Sequence, residues 1–258
     1  MSTWFHVIFF ALIGSVFSLI GGIYLLYGKR GAMLLQKIAV PFAAGALLAA
    51  SFFDLLPEAF EEGEVRTILQ WTLVGFLFFF ASERFLRWFH HHHEHESGQD
   101  QANRSLIVIG DTLHNFIDGL AIGAAFLVNP ATGIVATLAI AAHEIPQEIG
   151  DFGLLLSKGM KRKKVLLVNI ASAAVTVIGA SLVFGFGEAL QLPVDVMLAL
   201  VAGFFIYIAA ADIIPTIHQK ESARLANWQT LVLLVAVVLV AFTTVSLHEV
   251  LEAQAIHE

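Results

Sequence analysis

The sequence contains no cysteine, so disulfides and thiolate metal sites are excluded from the outset. Charge is scarce as well: Asp, Glu, Lys and Arg make up 14% of the 258 residues, against about 25% in a soluble domain. Nothing in the chain suits a nucleic-acid partner, and no glycine-rich nucleotide loop is present. What the sequence has in excess is apolar surface, at 58% hydrophobic residues and a mean hydropathy of +0.80. A single buried core cannot absorb that much, and lipid is the natural solvent for the remainder.

Apolar stretches of about 20 residues fit a hydrocarbon core about 30 Å thick. Eight are found, at 4–27, 38–57, 67–89, 105–128, 131–157, 165–186, 194–215 and 228–248. The first lacks a basic start and a small-residue cleavage site, so it reads as a retained helix. The expected fold is an all-α integral membrane protein with eight transmembrane helices, forming a single domain over 1–258. The basic residues then orient it. Lys29, Arg30, Lys37, Arg84, Arg87, Arg104, Lys158, Lys161, Arg162, Lys163, Lys164, Lys220 and Arg224 fall on one side, and only Arg66 falls on the other. Short basic loops stay cytoplasmic. Both termini are therefore expected outside the cytoplasm, in a multi-pass protein of the plasma or inner membrane.

Two segments repeat. Ala44-Gly45 precedes Asp54-Leu55-Leu56-Pro57, and Ala202-Gly203 precedes Asp212-Ile213-Ile214-Pro215 at the same spacing. The basic loops make these segments run in opposite directions, as an inverted repeat of segments 1–3 and 6–8 around segments 4 and 5 requires. The alternative is that an Asp-Leu-Leu-Pro string merely ends a helix. A real repeat places Asp54 near the outer mouth and Asp212 near the inner one.

The fourth segment carries Asp111, His114, Asn115 and Asp118, whose offsets of three, four and seven stack on one helical face. The fifth carries His143, Glu144, Gln147, Glu148 and Asp151. Each such group costs several kcal/mol against lipid unless paired or hydrated, so the two stripes should face each other. Imidazole, carboxylate and amide oxygen together suit a borderline divalent cation such as zinc. Interhelical hydrogen bonding and a proton relay are the competing readings. Pro146 removes one backbone donor and frees the carbonyl of Ala142 where the stripe is densest. Gly119, Gly123, Gly150 and Gly153 are expected to let neighbouring helices close in.

The strings His114-Asn115-Phe116-Ile117-Asp118-Gly119 and His143-Glu144-Ile145-Pro146-Gln147-Glu148 resemble the signature helices of the ZIP (Zrt/Irt-like) metal transporters. The second is most similar to the branch that reads His-Glu-x-Pro-His-Glu. Asp54 to Ala59 and Gly203 to Pro215 also resemble that family's helices 2 and 7, so the likeness spans nearly the whole chain. It implies eight helices, outside termini and a transport site shared by helices 4 and 5. It makes His114, Asp118 and His143 primary ligands, with Asn115 and Glu144 bordering an adjoining position. Gln147 stands where that branch has histidine and other branches have glutamate, and Asn169 offers an amide where some relatives place a carboxylate. One well-formed site is therefore expected rather than a tight binuclear centre, with Glu148 as a substitute ligand and Asp111 and Asp151 accessory.

The expected activity is movement of divalent metal, foremost zinc, toward the cytoplasm. Zinc is the substrate rather than a cofactor, and Cd2+, Fe2+ and Mn2+ remain compatible. Without a nucleotide loop, gradients or facilitated movement must drive it. A membrane metal sensor and an intramembrane metalloprotease are the alternatives. The protease motif needs His at the position of Gln147 and an undisturbed helix, and it has neither. A homodimer is compatible with the sequence. The cytoplasmic segment 90–104, with His90, His91, His92, His93 and His95, reads as a weak, modulatory zinc-binding loop. His6, His218, His248 and His257 lie near helix ends and read as packing or solvated surface, with an exit role open to His218 beside Asp212. Glu58 and Glu62, one turn apart at the outer end of the second segment, read as a weak cation attractor.

Overall fold

The computed structural model describes residues 3–91, 99–187, 189–218 and 223–255, and among them every regular element is helical. Helix α1 (Trp4–Tyr27) starts where Thr3 and His6 cap one another, which gives His6 a local role. Helix α2 (Lys29–Ala50) passes through a π-helical turn (Ser51–Leu55) into α3 (Leu56–Glu62). Then come α4 (Val65–His91), α5 (Gln99–Val128), α6 (Pro130–Ser157) and α7 (Arg162–Gly187). Helix α8 (Val194–Tyr207) likewise enters a π-helical turn (Ile208–Ile213) before α9 (Ile214–His218), and α10 (Ala223–Ala255) follows.

Among the described residues, six helical stretches are long and apolar enough to cross a membrane: Trp4–Leu26, Leu34–Glu61, Val65–Phe85, Arg162–Gly187, Val194–Ala211 and Arg224–Val250. Helices α5 and α6, at 30 and 28 residues, have ample length and carry the polar stripes. Large apolar side chains line the outside, among them Phe5, Phe9 and Val16 on α1 and Leu234, Val238 and Phe242 on α10. Contiguous exposed apolar faces of this kind suit a lipid surround.

The helices pack as two groups. In one, α1, α5, α6 and α7 pack against each other; in the other, α2 with α3, α4, α8 and α10 do. The seam between the groups runs chiefly along α2 and α6. Small residues carry much of this packing: Ala43, Ala44, Ala46, Ala49 and Ala50 of α2, and Ala139 and Ala142 of α6, belong to the main core. Close backbone approach through small side chains is how helices gain contact where lipid is as apolar as leucine. Gly119 and Gly123 behave as expected, abutting the α7 backbone at Thr176 and Ala180. Gly150 does not: among the described residues nothing lies within 4 Å of where its side chain would be.

The two sequence repeats share local geometry. Asp54 lies in the first π-helical turn and Asp212 in the second, with Pro57 and Pro215 just beyond. Gly45 touches the backbone of α10 at Leu233, and Gly203 touches that of α4 at Thr72. A side chain at either glycine would collide with main chain rather than with a flexible tip.

Candidate metal site

The stripes on α5 and α6 do face each other. Each side chain follows from its register: His114 and Asp118 are one turn apart on α5, and His143 and Glu144 are adjacent on α6. His114 Nε2 lies 3.2 Å from His143 Nε2, and His143 Nε2 lies 3.2 Å from Asp118 Oδ2. His114 Nε2 is 3.8 Å from Asp118 Oδ2 and 3.6 Å from Glu144 Oε1, and His143 Nε2 is 3.9 Å from Glu144 Oε1. One ligand atom from each of the four falls within 4.8 Å of every other. Four atoms about 2.1 Å from a tetrahedral zinc stand roughly 3.4 Å from each other. The spacing therefore matches a small divalent cation.

The electrostatics point the same way. Asp118 and Glu144 are 2% and 1% exposed, yet Asp118 Oδ2 and both oxygens of Glu144 lack a hydrogen-bond partner. Uncompensated buried carboxylates are costly, and a cation between them removes that cost. His143 Nδ1 is 3.3 Å from the carbonyl of Ala139, a contact that turns Nε2 toward the cluster. Rings from the other helix group close it off: Phe79 of α4 meets His114 edge-on at 5.4 Å, and Phe205 of α8 lies 6.4 Å from His143.

The remaining stripe residues sit around this group rather than in it. Asn115 donates to Asp111 Oδ1 at 3.0 Å and to Ser172 Oγ at 3.3 Å, and it accepts from Thr176 Oγ1 at 2.9 Å. Its amide is thus tied to α7. Asn169 donates to the carbonyl of Val165 at 2.7 Å. Gln147 reaches toward Asp111. Glu148 is fully buried with both oxygens lacking a hydrogen-bond partner, and Asp111 and Asp151 act on it electrostatically. His92, His93 and His95 lie outside the described residues, as do the side chains of His90, His91, Asp212 and His218.

A second cluster was not legible in sequence. His248 of α10 places Nε2 3.0 Å from Asp54 Oδ1 and Nδ1 3.4 Å from Glu58 Oε1. The reading of His248 as packing or solvated surface is thereby corrected, because the fold docks α10 on α2 and brings together residues 194 positions apart. The missed signal was weak: a lone histidine in an apolar run, aligned with an aspartate that the repeat had already marked.

These features agree with what the chain resembles. The family model described as ZIP Zinc transporter matches residues 1–105 and 93–248. Zinc transporter ZIP13 of Pongo abelii is 32% identical over 233 residues, covering 83% of this chain and 68% of that protein. Zinc transporter foi of Drosophila melanogaster is 42% identical over 118 residues, and zinc transporter ZIP4 of Mus musculus is 41% identical over 121. Each of those two matches covers 46% of this chain but only 17% and 18% of the relative's own length. With matches reaching from residue 1 to residue 248, the chain belongs to the ZIP zinc transporter family.

Proposed function

We propose that this chain carries zinc across a membrane toward the cytoplasm, through a site made by His114, Asp118, His143 and Glu144. The convergence of two imidazoles and two carboxylates, with carboxylate oxygens left unpartnered, is the observation that carries the reading. Zinc exchanges hydration water for these ligands, and two neutral imidazoles with two carboxylates neutralise its charge. Affinity order favours zinc over iron and manganese, and cadmium remains compatible with the same ligands. Glu148, Asp111, Gln147 and Asp151 form a polar flank that keeps the ion hydrated on its way, with Asn115 and Asn169 fixing helix positions.

The helix plan supports eight spans, with α5 and α6 crossing alongside the six apolar stretches, and an inverted repeat relating α1, α2 and α4 to α7, α8 and α10. Under that exchange α5 swaps with α6, and the strong pairings swap as well: α5 with α7 against α6 with α1, and α4 with α8 against α10 with α2. The metal cluster sits on one helix group and faces rings of the other, so sliding along the seam would open it to each side in turn. The basic loops put both termini outside the cytoplasm, and the histidines of 90–104 then collect ions on the inner face. Zinc uptake into proteoliposomes tests the reading. His114→Ala and His143→Ala should each abolish uptake while leaving a monodisperse protein, and wild-type uptake in both variants would end it.

A further inference from the structure

Glu83 is the only carboxylate of α4, and it lies within the apolar stretch Val65–Phe85, two residues from its inner end. A glutamate that close to the interface can reach water. This one is half-buried and held by the protein: Tyr207 Oη donates to Glu83 Oε2 at 2.5 Å. Tyr207 is itself buried, and its ring is packed by Phe76, Phe79 and Phe80 of α4 at 5.2, 5.6 and 6.1 Å. It is also the last residue of α8 before the π-helical turn, a feature frequent at functional sites.

Register places this pair against the metal cluster. Phe79, whose ring meets His114 edge-on, is four residues before Glu83. Residues four apart share a helix face and lie about 6 Å apart along the axis. Glu83 therefore continues the face that covers His114, one turn closer to the basic-loop end of α4, and its charge is among those that act on His114. It belongs to the helix group opposite the four ligands.

We infer that Glu83, held by Tyr207, is a waypoint ligand that takes the cation from the four-residue cluster on its way to the cytoplasmic side. This rests on the transport reading above. A carboxylate beyond the cluster gives the departing ion a second favourable position. The Tyr207 hydroxyl competes for the same oxygen and keeps that position weak, as passage through successive sites requires.

Zinc uptake into proteoliposomes, paired with equilibrium zinc binding to the purified protein, tests this. Glu83→Gln should lower the maximal uptake rate about tenfold while equilibrium binding stays within about twofold, with Glu83→Asp restoring most of the rate. Tyr207→Phe, which keeps the ring packing, should lower the rate about threefold. Wild-type rates in both Glu83→Gln and Tyr207→Phe would overturn the inference. So would a Glu83→Gln variant that loses uptake and zinc binding together, which marks a structural role. If His114→Ala also transports normally, the transport site itself has been misplaced; if that variant is dead while Glu83→Gln is normal, only the waypoint fails.

Discussion

The α5–α6 cluster and the α2–α10 cluster use the same chemistry in different proportions. At the first, two imidazoles and two carboxylates converge on one point, and three carboxylate oxygen atoms lack a hydrogen-bond partner. At the second, one imidazole is strung between two carboxylates, with both ring nitrogens engaged. The imidazole thus bridges Asp54 and Glu58 directly, side chain to side chain. At the first cluster the two Nε2 atoms face each other 3.2 Å apart and cannot both donate along that line. The first cluster is thus a ring of ligand atoms around one point that a divalent cation could occupy, whereas the second is a chain of protein groups that contact one another.

The same substitution in both places puts this contrast to its hardest trial. Glu144→Gln keeps shape and removes one charge where the four proposed ligands meet. Removing an outer partner of a metal ligand already costs about 10–100-fold in affinity, so zinc uptake should fall by at least about 100-fold. Glu58→Gln, at a half-buried carboxylate balanced by His248, should change uptake by less than about threefold. Equal losses would mean that the two clusters are equivalent, and the assignment of ligands to α5 and α6 would have to be abandoned.

Asp54→Asn should fall between these limits. Asp54 is 1% exposed and its Oδ2 has no hydrogen-bond partner, but the cluster it shares with the one-quarter-exposed His248 and the half-buried Glu58 reaches water. A carboxylate on the approach raises local cation concentration and the rate of capture. Its loss should slow uptake about tenfold at low ionic strength and less at high salt. Equilibrium zinc binding to the inner cluster should be unchanged. A salt-independent loss, or one accompanied by weaker binding, would tie Asp54 to the inner cluster instead of to the approach.

Much of this was legible in the sequence because hydrophobic run length and helical offset are direct physical signals. The predicted segment 4–27 coincides with Trp4–Tyr27, and 131–157 with Pro130–Ser157 to within a residue. The offsets of His114 and Asp118, and the adjacency of His143 and Glu144, anticipated the four that meet. The helix ends were less legible: 228–248 became Ala223–Ala255, and 38–57 became part of a run from Lys29 to Glu62. Hydropathy measures the thickness of the apolar layer, whereas a helix continues into the interface for as long as its backbone stays paired. Neither the π-helical turns nor the His248–Asp54 pair leaves a local signature. Both arise from how α2, α8 and α10 dock. The pairing of Glu83 with Tyr207 was hidden for the same reason, since 124 positions separate them.

The smallest expected effect concerns stability, and it separates the clusters without any measurement of flux. His248→Ala leaves the buried Asp54 oxygen that faced Nε2 without its partner. Leaving a buried acceptor unsatisfied costs about 1–3 kcal/mol, so the apo protein should melt a few degrees lower, with part of the loss recovered because His248 is itself one-quarter exposed. Zinc at about 100 times its Kd adds about 2.7 kcal/mol to any fold that binds it at one site. That added stability should survive intact in His248→Ala, because the four inner ligands are untouched, and it should vanish in His143→Ala. Zinc that no longer protects His248→Ala would mean that the imidazole strung between Asp54 and Glu58 holds the metal, reversing the roles of the two clusters.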